Sequence, residues 1–94
     1  MDEIRYTSHL KVRLEFRELP HELPREIYQE ADERYFDTHT LRKIAVKRVP
    51  YRGRVREFLV AYDERGPKVL LVTIHPLKPH QKYRRVLSGR WKPL

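Results

Sequence analysis

The sequence predicts an α+β layer domain, with helices packed on a three- or four-stranded antiparallel meander and a further helix near the C-terminal end. Three observations predict it. Residues 54–75, RVREFLVAYDERGPKVLLVTIH, place two runs of strand formers on either side of a turn. Residues 42–49, RKIAVKRV, alternate Ile44 and Val46 with Ala45 and Lys47, as a half-buried strand does. Upstream, Ile27, Ala31 and Tyr35 recur every four residues with Tyr28 beside them, which is helical spacing.

The hairpin organises the rest. In its first strand Phe58, Val60 and Tyr62 point to one side and Val55, Leu59 and Ala61 to the other. The second run, residues 69–75, is apolar enough to need cover on both faces, so it is expected to be central in the sheet. The connection at residues 63–67 reads as a five-residue turn containing Gly66, with Pro67 opening the outgoing strand. PYRG at residues 50–53 reads as the preceding turn.

Around the hairpin, residues 1–8 form a short lead-in in which Thr7 and Ser8 are available as helix caps. Residues 9–19 are ambiguous. Leu10, Val12, Leu14 and Phe16 alternate as in a strand, whereas His9, Arg13 and Arg17 sit four apart as on a helix face. A connector with Pro20 and Pro24 leads to a helix over residues 24–36, whose Glu22, Glu26, Glu30, Asp32 and Glu33 give it an acidic outer face. Residues 37–41 are a loop. Pro76 ends the last strand, and Pro79 starts a helix with Tyr83, Val86 and Leu87 inward and Gly89 as its C-cap. Residues 90–94 read as a tail.

Ninety-four residues make one domain with a modest core. No apolar run approaches the ~20 residues that span a bilayer, and MDEIRYTSH lacks a signal-peptide pattern, so the expectation is a soluble, cytoplasmic protein with no membrane partner. With no Cys, disulfide and thiolate chemistry are excluded. The absence of Asn, the single Met and the seven Pro, beside 36% charged residues, are the compositional habit of thermophile proteins. No P-loop, dinucleotide fingerprint, HExxH or zinc pattern occurs, so neither a cofactor nor a metal is expected.

Charge is divided unevenly. Residues 1–41 carry 6 Lys/Arg against 10 Asp/Glu, and residues 42–94 carry 15 against 3, a net of −4 beside a net of +12. A positive field so concentrated draws polyanions, and nucleic acid is the commonest of these. Lys43, Lys47, Arg54 and Arg56 fall at alternate positions on adjacent strands. With Arg52, and Tyr51 as a stacking surface, they are expected to form a basic platform on the exposed sheet face, extended by Lys82, Arg84 and Arg85. The competing reading is ordinary solvated strands.

Several segments together resemble the RelE-like toxin superfamily, specifically the BrnT-type toxins and a related family of small α+β domains. The matching pieces are SHxxxRxxxRELP at residues 8–20, IAVK at 44–47, FLVAYDE at 58–64 and VLLVTIHP at 69–76. The first is the most telling, because such proteins often open with a His followed by Arg residues at helical spacing. The resemblance implies that residues 9–19 are helical, so that two N-terminal helices pack on the antiparallel meander. It also implies RNA cleavage without metal and neutralisation by an antitoxin protein.

Metal-free RNA cleavage needs a base for the 2′-hydroxyl, an acid for the leaving 5′-oxygen and cations for the phosphate. Histidine suits the first two tasks and arginine the third. The candidates are His9 with Arg13 and Arg17 on one helix face, and His75 where the last strand meets a loop. Set against this, His9 can cap the helix, its arginines can pair with Glu15 or Glu18, and His75 can be a half-buried histidine bonded to backbone. Tyr62 can stack on a base, though a strand tyrosine is commonly core. The reading is thus an RNA-binding domain of RelE/BrnT type, with toxin-type endoribonuclease activity implied by the resemblance. The alternatives are a non-catalytic nucleic-acid-binding domain and a protein-interaction domain using the acidic helix. Oligomeric state is not legible.

Overall fold

The computed structural model describes residues 3–94, and it is α+β, with three helices and a six-stranded mixed sheet. The elements are β1 (Glu3–Tyr6), α1 (Ser8–Phe16), α2 (Leu23–Gln29), β2 (Glu33–Asp37), β3 (Arg42–Tyr51), β4 (Arg54–Arg65), β5 (Lys68–Pro76), α3 (Gln81–Leu87) and β6 (Trp91–Pro93). In space the strands run β1-β5-β4-β3-β2-β6. The expected sheet was too small. Strands β2 to β5 pair antiparallel in sequence order, but β1 adds in parallel beside β5 and β6 adds antiparallel beside β2.

The two hairpins that build the middle of the sheet turn more tightly than their sequences predict. Tyr51 pairs with Arg54, so the first turn is only Arg52-Gly53, both with positive φ (50° and 82°). That is the backbone of the two-residue turn whose twist matches paired strands. Arg65 pairs with Lys68, leaving Gly66-Pro67 as a two-residue turn, and Pro67 does not open the outgoing strand. Strand β5 is interior over residues 68–71, between β1 and β4. Beyond Leu71 it has lost β1 as a neighbour.

There the chain turns into α1. Thr7 is its N-cap, accepting from the Leu10 amide at 3.0 Å and donating to the Val72 carbonyl at 2.7 Å. The helix that residues 9–19 were expected to adopt runs over Ser8–Phe16, burying Leu10 and Leu14. Helix α2 stops at Gln29, well short of residue 36. The four-residue spacing of Ile27, Ala31 and Tyr35 was coincidental. Tyr35 and Phe36 are strand formers, and Tyr35 pairs with Ile44 in β2. Glu22, Glu26 and Glu30 remain exposed beside α2, but Asp32 and Glu33 do not share its face.

Each face of the sheet has its own core. One holds Phe58, Val60 and Tyr62 from β4 and Val69, Leu71 and Ile74 from β5 against Leu10, Leu14, Ile27 and Tyr28 from the two helices. The other is smaller, with Ile44, Val46, Leu59 and Ala61 under Leu77 and Trp91. Residues 90–94 are therefore no tail. Trp91 is buried, and Trp91–Pro93 is a strand of the sheet. Helix α3 sits lightly: Tyr83 and Leu87, expected inward, are exposed, and only Val86 packs on the second core. Gly89, with φ +78°, follows α3, its amide bonding the Val86 carbonyl. Among the described residues no helix is long and apolar enough to cross a membrane.

A basic cleft on the second sheet face

The second core leaves part of its sheet face uncovered, and this part is a cleft of about 580 Å³. Its floor is Ile44, Leu59 and Ala61. His75 and Thr73 stand along one side, and Arg42, Asp37 and Trp91 along the other. Strict alternation would place residues 73 and 75 on the helix-covered face with Val69 and Leu71. A β-bulge prevents this. Tyr62 pairs with Leu71 but Ala61 pairs with Thr73, so Val72 is an extra residue and the alternation of β5 reverses. His75 then lies opposite Leu59, on the cleft side, and Ile74 opposite Val60, in the main core. The Thr7 hydroxyl on the Val72 carbonyl anchors this bulge.

His75 is half-buried, with Nε2 at 3.3 Å from the Thr73 hydroxyl. Burial lowers its pKa below the usual imidazole value, and the charges of Arg13, Arg17 and His9 lower it further. Three of the four residues singled out in the sequence for chemistry thus lie near enough to the fourth, His75, to act on its charge. Helix α1 lies beside β5 where β1 has left it, and its His9-Arg13-Arg17 face is close enough to repel a proton on His75. Of the three, only Arg17 lines the cleft itself. Among the described residues, its Nε is the one buried side-chain nitrogen or oxygen without a hydrogen-bond partner.

Six cations line the cleft: Arg17, Arg42, Arg56, Lys78, Arg85 and Arg90. Two are neutralised, Arg42 by Asp63 at 3.3 Å and Arg90 by Asp37 at 3.1 Å. The other four make no ion pair with a described residue. Arg85 lies over the Trp91 ring, 5.6 Å from its centroid. Burial lowers the Arg85 pKa and so does the charge of Arg90, a sign of crowded positive charge.

Asp37 fixes the far wall. It is the one buried charged residue among those described. Burial alone would raise its pKa. The Arg90 guanidinium, the His39 and Thr40 amides and the Trp91 indole N–H, which donates to Oδ2 at 3.1 Å, outweigh that and hold it down to about 2. This cluster is not legible in the sequence, because Arg90 and Trp91 follow Gly89 in what reads as a tail. Arg42 carried a signal, since it shares its strand face with Ile44.

The expected basic platform is not one surface. Lys43, Lys47, Arg54 and Arg56 do share a sheet face by register, but it is the face of Phe58, Val60 and Tyr62, already occupied by helices. Lys43 pairs with Glu64 at 2.5 Å, and neither it nor Lys47 or Arg84 reaches the cleft. Tyr62 is core, its hydroxyl accepting from Arg34 at 3.0 Å. Lys82 is held between Glu33 (2.9 Å) and Glu57 (2.8 Å). Arg52, Arg54 and Arg56 lie at the hairpin end of the sheet, along a second groove of about 990 Å³ that adjoins the cleft. Among the described residues no group of three or more His, Cys, Asp or Glu is placed to hold a metal ion. No family model, curated protein or solved structure matches this chain.

Proposed function

We propose that this domain binds RNA in the basic cleft and cuts it as a metal-independent endoribonuclease of toxin type, held in check by an antitoxin protein. The observation that carries the reading is His75: a half-buried imidazole, its pKa lowered, facing a cleft in which Arg17, Arg56, Lys78 and Arg85 have no carboxylate partner. A neutral imidazole at pH 7 can take the proton of a 2′-hydroxyl. The 2′-oxygen then bonds to phosphorus, and the bond to the 5′-oxygen breaks. Solvent returns a proton to that leaving oxygen, since His9 is not among the residues that line the cleft. The arginines stabilise the doubly charged phosphorane, which is where such donors contribute most. Two N-terminal helices on one side of the sheet are what the RelE-like resemblance implies.

Incubation with RNA in EDTA tests the reading. The products should carry 2′,3′-cyclic phosphate ends, and a 2′-deoxy residue at the cut should block cleavage. His75→Ala should lower kcat by about 10²–10⁴-fold with RNA affinity nearly intact, and His75→Gln should do the same if the loss is one of proton transfer. A wild type that binds RNA and cuts none of it leaves a non-catalytic nucleic-acid-binding domain. The docking alternative on the acidic helix has less surface than its sequence promised, since α2 ends at Gln29.

A further inference from the structure

We infer that the groove adjoining the cleft is a track for single-stranded RNA, with Phe16 and Tyr83 as surfaces on which bases stack. This rests on the RNA reading above and names the form of RNA the site takes. The groove lies between the end of α1, the turn joining β3 to β4, and α3. It shares Arg17, Arg56 and Lys78 with the cleft, so a strand lying in one continues into the other.

Its lining combines the two chemistries that single strands need. Phe16 is 80% exposed and Tyr83 63%, each a ring on a short helix with a face turned to solvent. Phe16 falls on the side of α1 away from buried Leu10 and Leu14, so core packing does not explain it. Around these rings, Arg17, Arg52, Arg54, Arg56 and Lys78 make no ion pair with a described residue, although Arg52 lies over the Tyr51 ring at 5.1 Å. Glu57, the one carboxylate in the lining, is already bonded to Lys82. Positive charge without partners selects a polyanion, and exposed rings select one whose flat faces are free. Single strands offer both, because every base has a π-face once unpaired. A duplex hides those faces in its stack. A volume of about 990 Å³ lies at the top of the range for a small-molecule site, which suits a segment of chain.

The test is fluorescence anisotropy with a short single-stranded RNA, 2′-O-methylated so that it is bound but not cut. The Phe16→Ala/Tyr83→Ala double variant should bind at least about 30-fold more weakly. The slope of log Kd against log salt should not change, because no cation is lost. An abasic RNA of equal charge should bind wild type and variant alike, since it has nothing to stack. Both side chains are exposed, and circular dichroism checks that the variant keeps its fold. Equal affinity of wild type and variant for the base-bearing RNA overturns the track while the RNA reading stands, and is the result expected of a groove for a protein ligand. A loss of equal size on abasic RNA also overturns it. If the wild type binds neither single strand nor duplex, the RNA reading fails and takes the track with it.

Discussion

The two faces of the sheet use the same residues differently. On the helix-covered face, two cations are held by close partners. Lys43 bonds Glu64, and Arg34 bonds the Tyr62 hydroxyl and the Tyr28 carbonyl while lying against both rings. Round the cleft that opens on the other face, four cations have no carboxylate partner, Arg17 and Arg56 reaching it from the helix-covered side, and the core beneath holds six buried residues. Unpaired like charges at close range oppose folding. The helix-covered face supplies the stability that lets the other face carry them.

Single substitutions on either face separate the two roles. The largest effect is expected from Leu71→Ala, which should cost ~2–5 kcal/mol by opening a cavity in the main core. Urea titration measures it, and a loss below about 1 kcal/mol would mean that the helix-covered face is not the stabilising one. Next is Asp37→Ala, which strips partners from Arg90 and the Trp91 indole. A loss of roughly 3 kcal/mol is expected, because a buried pair is broken on one side. Asp37 also predicts an acid limb. Its pKa falls from 3.8 to about 2 on folding, so its contribution is complete above pH ~4 and is lost as pH falls toward 2. Thermal melts of wild type and Asp37→Asn should converge by roughly 2 kcal/mol over that window.

A smaller effect sits at His75. Its folded pKa lies below the unfolded value, so the unfolded chain binds the proton more readily. Stability should therefore fall as pH drops below about 6.5, and His75→Gln should flatten that slope. An imidazole that titrates by NMR at or above the free value would contradict the crowding described here. The smallest effects separate paired from unpaired cations most cleanly. Lys43→Ala should cost under about 1 kcal/mol and leave the salt dependence of RNA binding untouched. Arg56→Ala should barely alter stability and should reduce the salt slope by about one.

The sequence announced the two hairpins, the capped first helix and the shared helix face of His9, Arg13 and Arg17, because periodicity and caps are local signals; that His75 lies near them was not legible. It announced the wrong face for the basic strands. Which face of β3 and β4 receives the helices depends on packing partners far along the chain, and alternation alone is symmetric between the faces. The bulge at Val72 was invisible for a similar reason. Nothing in VLLVTIH marks an extra residue, yet that residue decides whether His75 is core or cleft. Strands β1 and β6 were missed because four- and three-residue strands carry no measurable period, and β2 because Tyr35 happened to continue a helical spacing.

Trp91 has a use that its packing does not advertise. It is the one tryptophan in the chain, it stacks on Tyr35 at 5.4 Å between ring centroids, and it carries Arg85 on its ring beside the cleft. Its bond to Asp37 spans 54 positions of sequence, whereas the hairpins close through two-residue turns. Closing so long a loop is entropically slower than zipping a hairpin. The tryptophan fluorescence of the protein, excited where tyrosine does not absorb, is therefore a built-in optical probe of one region only. It reports when the cleft wall has closed during refolding, and it reports any ligand that displaces Arg85 from the ring, with no label attached.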